Sequence, residues 1–186
     1  MSRQITLIGL AWAAALIALA LLLAQPFTAP VDTVEWLAFA ALIALLANLG
    51  RRMARGVVSP ISTGALLAYL ALSNGESSPA PLWCAAAGAA FGYAVWFVRM
   101  APARAVASER WLVAHQLLLS WARLVLGMAA GGALYRLLDG TLPLRSLSLD
   151  DALPLAGLFA GYLAGAGGLI ALDRVLARDG ASDPEW

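Results

Sequence analysis

Residues 111–138 read WLVAHQLLLSWARLVLGMAAGGALYRLL, and this run decides how the chain is read. It is longer than the roughly 20 apolar residues that cross a hydrocarbon core of about 30 Å, yet it carries Arg123 deep inside it. Five more apolar runs lie around it, at 5–24, 34–49, 57–73, 82–98 and 152–172. The fold class they predict is all-α, an integral membrane bundle of six transmembrane helices. The 186 residues then form one multi-pass membrane domain, with no room for a sizeable soluble core.

Composition agrees with a bilayer as solvent. Hydrophobic residues make up 62% and charged residues 12% of the chain, against about half and about a quarter in soluble domains. Mean hydropathy is +0.80. The first run follows Met1-Ser2-Arg3 and is long enough to span outright. Gln25-Pro26-Phe27 after it offers no small-x-small cleavage site, so the run is expected to be the first transmembrane helix. The second, third and fourth runs are near the short limit for crossing, and the third is the least certain span. Its start is well marked, because Ser59 can cap a helix whose first position is Pro60. The connections 25–33, 74–81 and 139–151 are rich in Pro, Gly, Ser and acids, as short turns should be.

All twelve basic residues are arginine. Nine of them, Arg3, Arg51, Arg52, Arg55, Arg99, Arg104, Arg110, Arg174 and Arg178, fall on one side of a six-span chain, which the positive-inside rule makes the cytoplasmic side. Arg136 and Arg145 fall opposite, with most of the acids. Both termini are therefore expected inside the cell. A five-span chain would put one arginine cluster on the wrong face.

Glycines recur at four-residue spacing: Gly88 and Gly92, Gly127 and Gly131, then Gly157, Gly161 and Gly165. In lipid such small-residue stripes let backbones approach where no hydrophobic drive exists between helices. The expected use is packing among helices four to six; the alternative is that the stripe on the sixth is a face for a second copy in a homodimer. Gly165, Gly167 and Gly168 follow no strand, so they are not a phosphate loop.

Gln116, Ser120, Arg123 and Gly127 stand at i, i+4, i+7 and i+11 and share one helical face. A guanidinium near the bilayer midplane costs at least about 2.5–3.5 kcal/mol unless it meets protein, water or an anion, so Arg123 is expected to point inward. Two readings stand. In one, Arg123 anchors an anionic small ligand, with Gln116, Ser120 and Tyr162 as hydrogen-bonding neighbours. In the other it is an internally satisfied arginine that holds helices together, with Asn48, Tyr93, Tyr162 or backbone carbonyls as neutral partners.

The other chemically suggestive residues read as structural. His115 is the single histidine, with no second ligand at metal spacing, and is expected as an interfacial polar residue. Ser59, Ser62 and Thr63 lack a nucleophile elbow. Trp36, Trp83, Trp96 and Trp111 fall near span ends as an aromatic belt, while Trp12 and Trp121 are deeper and expected to pack. Cys84 has no second cysteine to pair with. No catalytic residue, metal or cofactor is expected, and the net charge of +1 argues against nucleic acid.

The stretch 34–177, with Arg51-Arg52-Met53-Ala54-Arg55 leading into Val57-Val58-Ser59-Pro60-Ile61-Ser62-Thr63 and a long helix closing on Ala133-Leu134-Tyr135-Arg136-Leu137-Leu138, resembles the multi-pass membrane input domain ahead of bacterial HD-GYP and diguanylate cyclase modules. That resemblance implies signal transduction through a cytoplasmic output partner, whereas this chain ends in the short tail 179–186. In length, span number and termini the chain is also similar to the substrate-capture components of energy-coupling-factor transporters and to the cell-shape protein MreD. Three classes stay open: a sensory or small-ligand-binding module acting through a partner, a component of a transporter, and a structural subunit of a larger membrane complex. Each places the chain in a bacterial inner membrane, where arginine without lysine fits a GC-rich genome.

Overall fold

The computed structural model describes residues 3–24, 33–49, 60–71, 80–100, 107–140 and 148–179. They form six helices: α1 (Arg3–Leu23), α2 (Thr33–Leu49), α3 (Pro60–Ala71), α4 (Ala80–Met100), α5 (Ala107–Leu137) and α6 (Ala152–Asp179). No strand occurs among the described residues. Three helices contain a stretch long and apolar enough to cross a membrane: Pro81–Arg99, Val113–Leu137 and Ala152–Leu172. Ile8–Leu23 and Thr33–Ala47 are shorter apolar helices. Large apolar side chains face outward on most of them, including Leu16, Ile17, Leu45, Phe91, Leu153 and Phe159. A surface of that kind suits lipid and not water.

Alanine and leucine, the strongest helix formers, dominate the helices, and the ends follow local chemistry. α3 begins at Pro60, whose missing N–H has no helical partner to lose. The expected cap, Ser59, lies outside the described residues. The described α3, 12 residues and about 18 Å long, lies within the predicted run 57–73, whose other positions fall outside the described residues.

α5 closes in a Schellman motif: the Gly140 N–H donates to the Tyr135 carbonyl at 2.9 Å, and the Asp139 N–H to that of Arg136 at 3.1 Å. Asp139 takes the left-handed position, at φ 60°. α6 is preceded by a turn in which the Asp151 carboxylate accepts from the Ser148 backbone N–H at 2.8 Å and from its hydroxyl at 2.9 Å.

α5 is the central helix, packed against α1, α3, α4 and α6, while α2 lies on α3 and α4. α1 thus joins the C-terminal helices across almost the whole chain. It does so through an alanine stripe, Ala11, Ala14, Ala15 and Ala18, all buried.

The glycines explain how closely these helices approach. A Cβ on Gly131 would fall 2.6 Å from the Leu158 carbonyl oxygen, and one on Gly161 would fall 2.7 Å from the Ala130 oxygen and 2.8 Å from the Gly131 Cα. Gly165 meets the Leu126 oxygen in the same way, and Gly157 meets Leu138. α5 and α6 are therefore antiparallel, with backbones in contact. Gly88 and Gly92 do something else: they face Ala40 and Ala44 of α2, not α5 or α6, which corrects the expectation that all three stripes serve helices four to six. Gly167 and Gly168 meet nothing within 4 Å and continue α6 without a break.

Trp36 with Cys84, Ala40 with Gly88 and Ala44 with Gly92 share a constant offset of 48 positions, so α2 and α4 run parallel and in register. In that register the end of α2 at Leu49 lies level with position 97, some 17 residues or about 25 Å above the start of α4. The chain between them, of which α3 is the described part, has to return over that height.

Two substitutions test the packing. Gly161→Ala should lower stability in detergent by about 1–3 kcal/mol, because backbone atoms cannot move aside, while Gly167→Ala in the same helix should be neutral or raise it by up to about 1 kcal/mol. Thermal unfolding of the two variants checks the contrast. Asp139→Gly should raise the melting temperature, since glycine adopts the left-handed position without a Cβ penalty of about 1 kcal/mol.

Candidate functional site

Arg123 lies 10 residues after Val113 and 14 before Leu137, about 15 Å and 21 Å from the two ends of the apolar stretch. Its side chain is half-buried, with Nε fully enclosed by protein. The inward orientation expected for a mid-span guanidinium is thus present at its root, and part of the residue stays accessible.

Tyr162 reaches the same face from α6. Its buried ring lies where a side chain on Gly127 would be, since a Cβ there would stand 2.8 Å from Cε2 and 2.9 Å from Cδ2. Gly127 is one turn beyond Arg123 on the shared face. The absent side chain is what lets a ring from α6 lie on α5 within a turn of the arginine.

The other two residues of the stripe contribute differently. Ser120 donates its hydroxyl to the Gln116 carbonyl at 2.8 Å, a bond within its own helix. The Gln116 side chain is exposed and stands about 10 Å along the axis from Arg123. Arg123 and Tyr162 form the centre, then, and Gln116 lies at its margin. Of the neutral partners considered for Arg123, Tyr93 is buried on α4, while the Asn48 side chain lies outside the described residues.

A second polar grouping was not legible as a site. His115, near the start of the apolar stretch of α5, is 6% exposed and is covered by α1. Trp12 donates from Nε1 to His115 Nε2 at 3.2 Å, and His115 Nδ1 lies 2.6 Å from the Trp111 carbonyl oxygen. Trp12 itself is 53% exposed, so it does not pack as a deep core residue; only its polar edge turns inward. Trp121 does pack, and its indole N–H donates to the Ala86 carbonyl at 2.9 Å, joining α5 to α4.

At the opposite end of α5, the Tyr69 hydroxyl donates to the Gly132 carbonyl at 3.2 Å and shares a hydrogen bond with Arg136. Its ring stands edge-on to Tyr135, 6.1 Å between centroids. Gly132 makes room for it, because a Cβ there would fall 2.7 Å from the Tyr69 hydroxyl oxygen. Adjacent Gly131 and Gly132 therefore serve different neighbours, α6 and α3. A paired glycine with a tyrosine on a neighbouring helix was the available signal, but spacing along one helix cannot say which partner each glycine faces.

Among the described residues, no three His, Cys, Asp or Glu side chains gather as metal ligands. Comparison with protein families, with characterised proteins and with solved structures returned no match.

Tyr69→Phe should keep the ring packing and lose the hydroxyl's bonds, lowering stability by about 1 kcal/mol, whereas Gly132→Val should lower it further by displacing the tyrosine. Thermal unfolding of both variants measures the order.

Proposed function

We propose that the chain is a non-enzymatic, multi-pass protein of a bacterial inner membrane, binding an anionic small molecule at Arg123 and acting through a protein partner. The observation that carries this reading is a guanidinium about 15 Å inside an apolar stretch, rooted in protein yet partly accessible, with the Tyr162 ring laid against the next turn. An ionisable group at that depth is expensive and is repaid by a specific partner or task. Tyr162, Ser120 and Gln116 are the hydrogen-bonding neighbours this reading gives the ligand.

Six crossings with both termini cytoplasmic are part of the proposal. The one-sided arrangement of nine arginines supports it, and so does the parallel register of α2 and α4, which requires a return over about 25 Å between them. In that arrangement α3 belongs to the third crossing.

Purified full-length chain in detergent should gain thermal stability with increasing concentrations of small carboxylates or phosphates, following mass action. Arg123→Ala should keep its basal unfolding temperature near that of the wild type and lose the ligand-dependent gain. An equal gain in that variant would remove Arg123 from ligand binding. Isolation in mild detergent with mass spectrometry addresses the partner, and recovery of the chain alone would count against one.

A further inference from the structure

Trp12, His115 and Trp111 form a hydrogen-bond relay whose polarity is fixed by chemistry. An indole Nε1–H can only donate, so His115 Nε2, 3.2 Å from it, has to be the unprotonated nitrogen. The ring proton then resides on Nδ1, where it donates to the Trp111 carbonyl at 2.6 Å. Both nitrogens are engaged in one tautomer, and the ring is buried.

Protonating this imidazole does not add a bond; it removes one. Nε2 becomes a donor facing another donor, and Trp12 loses its acceptor. Trp12 lies on α1 and His115 on α5, so the bond belongs to the contact that ties the N-terminal helix to the centre of the bundle. The edge-on packing of the Trp12 indole on the imidazole, 6.4 Å between centroids, depends on the same ring.

We propose that Trp12 and His115 form a proton-sensitive latch, closed when His115 is neutral and opened by its protonation, which sets how firmly α1 is held to α5. The latch lies two residues inside the apolar stretch that begins at Val113, so a proton from the adjoining aqueous phase travels less than one helical turn to reach it. The described side chains of α1 carry no titratable group. Among the described side chains, the charged neighbours on α5 are Arg110, five residues before, and Arg123, eight residues after, and the groups on the elements packed around it are Cys84, Tyr93 and Arg99 on α4, Tyr69 on α3 and Tyr162 on α6, while the Glu109 side chain, six residues before on α5, lies outside the described ones. The inference does not rest on Arg123 binding a ligand.

The chain contains one histidine, so its imidazole nitrogens can be read without ambiguity. In nitrogen-15-labelled full-length protein in detergent micelles at about pH 8, Nδ1 should appear protonated and Nε2 unprotonated. On acidification the two imidazole nitrogen resonances should move to those of the doubly protonated ring. The Trp12 indole N–H resonance, assigned by its loss in Trp12→Phe, should shift with the same midpoint. In His115→Phe that resonance should be independent of pH. A proton on Nε2 at about pH 8, an imidazole that fails to titrate, or a Trp12 resonance that does not follow it in the wild type would each overturn the latch.

Discussion

The backbone contact between α5 and α6 is the constraint on which the rest depends. Between apolar helices in lipid, association relies on van der Waals contact and hydrogen bonds, because the surrounding tails are as apolar as leucine. Gly127, Gly131, Gly161 and Gly165 bring the two helices to backbone distance, and the atoms nearest Gly131 and Gly161 are backbone. Their closeness leaves α5 free to accept α1, α3 and α4 on its remaining faces. It also uses the glycine stripe of α6 within the chain, so that stripe is not an open face for a second copy.

Polar groups on α5 are distributed according to which neighbour each face meets. His115 bonds to α1, Trp121 to α4, the Gly132 carbonyl to α3, and the turn carrying Arg123 and Gly127 receives Tyr162 from α6. Each helix around α5 is joined to it by at least one polar or aromatic group as well as by close packing. Away from water, hydrogen bonds of this kind fix rotation and register where apolar contact alone would permit sliding.

The parallel pair α2 and α4 uses the same small-residue device with a different partner. The register is read from Ala40 and Ala44 facing Gly88 and Gly92, with Trp36 facing Cys84. Its consequence reaches beyond the pair, because a parallel neighbour obliges the chain between them to come back. α3, the described part of that segment, packs on both helices of the pair.

Helix positions were legible in the residues because hydropathy and cap chemistry are local: each apolar run holds one helix, and Pro60 begins α3. Arg123 stood out for the same reason, as a charge inside a run. Partners were not legible. A glycine announces that something approaches, but Gly131 and Gly132 are adjacent and face different helices, and Gly167 faces nothing. Likewise His115 reads as an edge residue until α1, over a hundred positions away, supplies Trp12. The sequence by itself determined which segments are helical and apolar, through periodicity and side-chain chemistry along the chain. Only the tertiary structure decided which faces meet, because helix pairing depends on shape complementarity between distant segments, and neither segment carries that information alone.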